Sequence, residues 1–271
     1  MHVASLHIHP LKSCAALDVD ALDVAPRGPV GDRRWMVIDA ANRFITARAE
    51  ALLVLIRALP QDDGLSLTAP GCAPLMVTAP SSGPRVQVRV WDDHVDAALA
   101  DDTAHAWLSN FLGRPLRLVH MDGRSHRAVD PAFGAPGDEV SFADGYPLLV
   151  ISRAALDGLN ERLEHAIGMA RFRPNVVVDD CAPHAEDGWC RVRIGAVEFD
   201  AVKPCSRCVF TTIDPVTAVR DPLGEPLRTL RSYRAAGNGK DVLFGMNLIS
   251  RGPGTLHLGD RIEMLAPRGI A

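Results

Sequence analysis

Apolar and polar residues alternate with a period of two over the opening of the chain. Ala4, Leu6 and Ile8 interleave with Val3, Ser5 and His7, and the alternation returns at Leu17-Asp18-Val19-Asp20 and Leu22-Asp23-Val24. Pro26 to Asp32 is a turn-rich break, because proline fixes φ and glycine permits positive φ. Strands are predicted over 34–39 and 43–47, joined by Ala40-Ala41-Asn42. Further strands are predicted over 65–69, 75–79 and 85–91, the last with Val86, Val88 and Val90 on one face. Half-buried strands at this spacing predict a small barrel or a folded-over sheet.

The period changes over 102–112. Ala104, Trp107, Leu108 and Phe111 share one side of a helix with an acidic start, and Gly113-Arg114-Pro115 stops it. A strand over 116–120 follows. Residues 121–137 hold Gly, Ser, Pro and charges without periodicity and read as a linker. A second helix is predicted over 153–165, with Ser152 as N-cap and Ala155, Leu156, Leu159 and Leu163 at helical spacing. Strands are then expected over 175–178, 190–194, 196–202, 209–213, 243–249 and 256–265, with a third helix over 225–234. There are no internal repeats. The pattern is that of a mostly-β protein in two linked parts.

Composition narrows the classes. Apolar residues make up 47% and charged residues 23% of 271 positions, which excludes disordered and fibrous chains. A net charge of −4 gives no reason to expect nucleic acid or a membrane surface as partner. The longest apolar runs, near 51–56 and 147–151, fall short of the ~20 residues a membrane span needs. The first residues lack a basic head followed by an apolar stretch, so no secretory signal is read, and a soluble cytoplasmic protein is expected. Only three lysines stand among the 29 basic residues, which makes a surface arginine uninformative and a lysine less so. Six scattered cysteines are too few for a disulfide framework and read as reduced thiols.

The densest chemical signal is the run Lys203-Pro204-Cys205-Ser206-Arg207-Cys208-Val209-Phe210-Thr211-Thr212-Ile213-Asp214-Pro215. Two thiols three positions apart sit among two cations, and adjacent positive charge favours the thiolate, the nucleophilic and metal-binding form. A structural zinc site needs about four ligands, and no second paired cluster follows. A thioredoxin-like dithiol opens a helix in a βαβ unit, whereas a β-rich run follows here. Buried thiols acting as small hydrophobes account for Cys14, Cys72, Cys181 and Cys190, but do not call for Lys203 and Arg207 beside Cys205 and Cys208. His7 and His9 have no carboxylate near them in sequence and read as structural. Asp92-Asp93 reads as a solvated hairpin turn, and Trp189 as core.

That run resembles the signature of the MOSC superfamily, in its amidoxime-reducing branch. The likeness extends over nearly the whole chain. His9-Pro10-Leu11-Lys12-Ser13-Cys14, Gly31-Asp32-Arg33-Arg34-Trp35 and Thr46-Ala47-Arg48 resemble the N-terminal β-barrel of that branch. Phe172-Arg173-Pro174-Asn175 and Ala185-Glu186-Asp187-Gly188-Trp189 resemble the opening of the MOSC domain. Glu225-Pro226-Leu227, Ser232-Tyr233-Arg234 and Leu243-Phe244-Gly245 resemble its close.

The resemblance implies a mostly-β (α+β) fold: a small N-terminal β-barrel-like domain over 1–121, then a MOSC β-barrel domain with a few helices over 122–271. It implies a molybdenum cofactor, Mo-molybdopterin, with Cys208 as metal ligand and catalytic residue. By the same matching Lys12, Ser13, Arg33, Arg173, Asn175, Ser206, Arg207 and Cys208 would bind the cofactor. Residue chemistry is coherent with this, since arginine forks and a lysine suit a phosphate and a soft thiolate suits a thiophilic metal. The implied activity is reduction of N-hydroxylated compounds, small molecules such as hydroxylamines, amidoximes or N-hydroxylated nucleobases. No iron–sulfur cysteine spacing follows the last strand, so electrons are expected from a separate ferredoxin-, flavin- or cytochrome b5-like protein. The alternative is a cofactor or sulfur carrier with Cys208 as a persulfide. Two departures stand out: Ala218 occurs where the branch ends its turn with Gly, so that turn is expected to be rebuilt, and Asn247 replaces a tyrosine.

Overall fold

The computed structural model describes residues 1–268. Its largest sheet has eight strands in the spatial order Ile262–Pro267, Trp189–Ile194, Val197–Ser206, Leu243–Ser250, Leu148–Ser152, Val176–Asp179, His2–Ile8 and Leu17–Val19. The first two strands of the chain therefore share a sheet with strands from its second half. A three-stranded sheet repeats this mixing, since Ala21–Ala25 pairs with both Gly28–Pro29 and Gly254–His257. Leu148–Ser152 and Val176–Asp179 are parallel, and Leu148 to Ile151 are all buried, as expected of a strand covered on both faces. Gly245, at φ 88°, lets the neighbouring strand approach: a Cβ there would lie 2.8 Å from the Val150 carbonyl oxygen.

A four-stranded sheet carries Trp35–Ile38, Arg117–His120, Asp93–Leu99 and Arg85–Val90, and a three-stranded one carries Arg57–Gln61, Gly64–Thr68 and Leu75–Thr78. The helix Asp102–Leu112 closes this half. Asp101 caps it by accepting the Ala104 N–H at 2.8 Å, and Gly113 ends it in the left-handed conformation. Ala104, Leu108 and Leu112, one turn apart, are buried in the same apolar cluster as Leu53, Ile56 and Leu118. Among the described residues the architecture is mostly strand with three α-helices.

Several expected elements differ. Residues 43–47 make only isolated bridges to Ile38 and Arg89 rather than a strand. The expected strand over 209–213 is a single 3-10 turn, Val209–Thr212. The Thr211 and Thr212 hydroxyls donate to the Cys208 and Val209 carbonyls at 3.0 and 2.7 Å, a local satisfaction that competes with sheet pairing. The second helix stops at Asn160, whose amide then bonds Ile167 through both its oxygen and its nitrogen. Ser152 stands at the N-cap position without capping, and its hydroxyl accepts the His184 N–H instead. The run 256–265 breaks into two strands around Gly259-Asp260, where Asp260 accepts the His257 N–H. Arg57–Gln61, Asp93–Leu99 and Leu148–Ser152 are strands that periodicity alone did not reveal.

The segment 121–137 has little regular structure, yet it is packed in place. The Arg127 side chain, 3% exposed, donates to the Ser141, Ala143 and Asp144 carbonyls and pairs with Asp93 at 2.8 Å. Ala218 keeps the left-handed backbone, φ 60°, so the turn is not rebuilt. The Asp214 carboxylate accepts the Val216 and Thr217 N–H groups and holds it. Among the described residues no helix is long and apolar enough to cross a membrane.

Candidate active site

A cleft of about 700 Å³ opens between the two halves. Lys12, Ser13, Arg33, Arg173, Asn175, Ser206, Arg207 and Cys208 all line it, although they come from four distant stretches of chain. Ser13, Arg33 and Arg173 have φ of 69°, 48° and 57°, a left-handed conformation that non-glycine residues rarely adopt. Backbone held in this way gathers at functional sites because the surrounding structure must over-determine it.

Each cation is fixed differently. Lys12, 4% exposed, donates to the Phe142 carbonyl and to Asp144, both at 2.6 Å. Burial, partly offset by Asp144, pulls its ammonium down to about 8. Asp144 in turn is kept well below the usual carboxylate range: lost hydration on the cleft side opposes this, and Lys12, Arg48 and Arg33 outweigh it, while much of its side chain stays exposed. Arg33 donates to Asp32 at 2.5 Å, to Asn175 at 3.2 Å and to the Arg173 carbonyl at 3.1 Å. Arg173 donates to the Cys14 carbonyl and lies 5.4 Å from the Phe210 ring centre. Burial and the nearby Arg33 pull its guanidinium down to about 10.

Asn175 is fully buried and its amide is spent on the protein. Its nitrogen donates to the His7 carbonyl and Asp32, and its oxygen accepts from Arg33 and the Leu149 N–H. Two donors and two lone pairs exhaust what an amide offers. Asn175 therefore lies against the cleft as a support for Arg33. Ser206 donates to Asp241 at 2.6 Å, at the exposed end of its strand.

The two cysteines have different neighbours from those their sequence suggests. Arg207 donates to the Cys205 sulfur at 3.1 Å and to the Phe172 carbonyl at 2.8 Å. Burial nonetheless pushes the Cys205 thiol up, the opposite of the thiolate that its flanking cations suggest. Lys203 stands over the Phe133 ring at 4.3 Å and takes no part at either sulfur. The cation at Cys208 is Arg48, whose Nη1 donates to Sγ across 3.8 Å. Arg48 stands in the Thr46-Ala47-Arg48 motif, but nothing in the local sequence connects it with a cysteine so far away. Asp144, which anchors Lys12, was also invisible to local reading. His7 pairs with Asp18 at 2.8 Å across two antiparallel strands, and His9 is buried against the Pro174 carbonyl.

Two buried guanidinium nitrogens in this cleft, Arg173 Nη2 and Arg207 Nε, have no hydrogen-bond partner. Buried donors of this kind are rare without a partner. Together with a half-buried thiol and a lysine, they make a donor set suited to an anionic group carrying a thiophilic metal. Among the described residues no cluster of three or more His, Cys, Asp or Glu side chains could hold a metal ion alone. A metal at Cys208 would therefore take its other ligands from a cofactor.

Comparison with known proteins gives two domain matches. Residues 1–115 match the MOSC N-terminal beta barrel domain, and residues 137–263 match the MOSC domain. The chain is 39% identical to mitochondrial amidoxime-reducing component 1 of Mus musculus, over 97% of this chain and 82% of that protein. It is 35% identical to component 1 of Homo sapiens over the same shares. To human mitochondrial amidoxime reducing component 2 it is 34% identical, over 96% of this chain and 82% of the relative. The expectation of a cytoplasmic location is corrected by these matches, since the relatives are named as mitochondrial components.

Proposed function

The chain belongs to the family of MOSC-domain proteins that includes the amidoxime-reducing components, and from that membership we propose that it is a molybdenum-cofactor-dependent reductase of N-hydroxylated small molecules. The observation that carries the reading is the shared cleft: the Cys208 thiol, Lys12, Arg33, Arg48, Arg173 and Arg207 line it together, and two buried guanidinium nitrogens there lack a partner, where a phosphate-bearing, thiol-ligated group fits. The pterin-held molybdenum supplies, when bound, the two-electron chemistry that cleaves the N–O bond. Overall, an N–OH group, two electrons and two protons give N–H and water. The electrons come from a separate electron-transfer protein of the ferredoxin, flavin or cytochrome b5 type.

The chain's own residues bind and position. Cys208 Sγ is the metal ligand, and Arg48 donates to it. Arg173 and Arg207 each keep a donor free for the cofactor's anionic group. Lys12 retains one proton beyond the two it gives to Phe142 and Asp144. Ser13 offers its hydroxyl from a left-handed backbone position on the cleft wall. Arg33 fixes the Arg173 carbonyl and is itself fixed by Asp32 and Asn175. Ser206 ties the strand leading to Cys208 to Asp241.

Protein from a host that makes the cofactor is expected to carry molybdenum and to reduce benzamidoxime with a reduced dye as donor. A folded Cys208→Ser protein is expected to lose both. If folded Cys208→Ser reduced benzamidoxime at the wild-type rate, or if mass spectrometry found a Cys208 persulfide and no metal, the reductase reading would fail and, in the second case, a sulfur carrier would replace it.

A further inference from the structure

A continuous stack of cations and rings runs along one side of the cleft, with Lys12, Arg48 and Trp91 lining it and Phe44 behind them. Lys12 Nζ lies 5.6 Å from the Phe44 ring centre, the Phe44 and Trp91 rings are 5.2 Å apart, and Arg48 Cζ stands 4.2 Å from the Trp91 ring. Arg48 then reaches Cys208. The Arg48 backbone is fastened too, because Arg220 donates to its carbonyl and to that of Ala47. Trp91 is the ring nearest Cys208 in this ladder, and the cofactor reading gives it no task.

Its position is unusual in two independent ways. Trp91 and Asp92 form the two-residue turn between Arg85–Val90 and Asp93–Leu99, flanked by the pair Val90 and Asp93. Only the first turn residue has positive φ, 57°, and hairpins of that form place glycine there. A bulky residue in this conformation is strained. Burial does not compensate, since Trp91 is 40% exposed while lining the cleft. The indole is instead held by Phe44, tilted against it at 59°, and by Arg48 over its ring, the same Arg48 that reaches the thiol, which makes it a preorganised flat surface in the cleft. Tyr146, braced by Phe133 at 6.0 Å in an edge-on contact, lines the same cleft, as do Phe172 and Phe210.

We infer that Trp91 is a specificity-determining residue that selects N-hydroxylated substrates with a planar π-face, such as aryl amidoximes and heteroaryl hydroxylamines. This rests on the reductase reading. Aromatic rings gain offset-stacking attraction that an aliphatic substrate of similar size cannot match.

The test compares kcat/KM for benzamidoxime and acetamidoxime in wild type, Trp91→Ala and Trp91→Phe. The aromatic-to-aliphatic ratio is expected to fall about tenfold in Trp91→Ala, through KM, and to stay within about twofold in Trp91→Phe. A purely structural role moves both substrates together, and an unchanged ratio in folded Trp91→Ala overturns the inference. A second readout needs no turnover: benzamidoxime titrated into the protein as isolated, without reductant, quenches tryptophan fluorescence in wild type. That quench is expected to vanish in Trp91→Phe, and its persistence also overturns the inference. If molybdenum-loaded wild type reduced neither compound, the reductase reading would fall, and the fluorescence titration would still decide for or against Trp91.

Discussion

Arg48 donates to the sulfur of Cys208 from 160 positions away in the chain. The bond joins the N-terminal half to the run that carries the thiol. It also puts the charge nearest that sulfur on a residue that neither the Cys-x-x-Cys spacing nor its flanking cations single out.

Arg48→Gln removes that charge while leaving the carbonyl that Arg220 holds. One lost hydrogen bond to a charged group, about 1.5 kcal/mol, predicts a roughly tenfold fall in kcat/KM with benzamidoxime. Steady-state kinetics with a parallel urea titration measures it. Unchanged kinetics in a protein of unchanged stability would take Arg48 out of the site.

Asn175→Ala leaves Asp32, Arg33, the His7 carbonyl and the Leu149 N–H short of a partner in a fully buried position. A loss of about 2–4 kcal/mol of stability is expected, read as a lower urea midpoint at constant slope. A cost below about 0.5 kcal/mol, the range of ordinary surface substitutions, would contradict the support role.

Arg127→Met strips three backbone carbonyls and Asp93 of a buried donor. About 2–4 kcal/mol of destabilisation is expected. The carbonyls belong to residues 141–144, which also supply the acceptors of Lys12, so molybdenum content after dialysis should fall along with stability. Metal analysis beside denaturation separates the two effects.

Ala218→Gly relieves a left-handed alanine, φ 60°, without disturbing the bonds that Asp214 makes to the turn. Glycine occupies that region without the Cβ penalty, so this substitution is expected to stabilise by about 0.5–1 kcal/mol despite its gain in unfolded-state entropy. Differential scanning calorimetry would show a raised Tm. A lowered Tm would mean that the Ala218 methyl packs usefully.

Acid should weaken the fold below neutrality. Burial, helped by Arg34, pulls His120 down to about 4 from an ordinary 6.5, and burial beside Arg173 and Arg33 lowers His9 strongly. Between those limits the unfolded chain binds protons that the folded chain refuses, so stability is full above about 6.5 and declines as pH falls toward 4. Urea midpoints at pH 7.5 and pH 5 test this, and His120→Phe should flatten the difference.

Cofactor retention should have the opposite slope on the alkaline side. Lys12 titrates near 8 in the folded protein, so its positive charge is present below that pH and lost above it. Molybdenum retained after dialysis is expected to drop between pH 7 and pH 9.5. A flat profile would mean that the charge on Lys12 does not govern retention over this range.

Some features were legible because they depend on neighbours in the chain. The capped helix Asp102–Leu112 lies where its apolar spacing and Gly113 put it. The alternating runs of the first quarter became His2–Ile8, Leu17–Val19 and Ala21–Ala25. Val209–Thr212 was misread because its β-branched residues favour strands in general, while two threonine hydroxyls here satisfy local carbonyls. The segment 121–137 looked like a linker because it has no period, yet single polar side chains such as Arg127 hold it without needing one.

By itself, then, the sequence determined the strand-rich character, the main helix, the paired thiols and the set of cations that end up in one cleft. Those follow from residue type and from spacings shorter than a helical turn or a hairpin, and from motifs kept in order along the chain. Only the tertiary structure decided that Arg48 faces Cys208, that Arg207 turns to Cys205, that Asn175 is spent on its neighbours and that Trp91 stands on the cleft wall. Side chains that meet across more than a hundred residues leave no periodic trace, because their encounter is set by how sheets pair and pack rather than by the residues next to them.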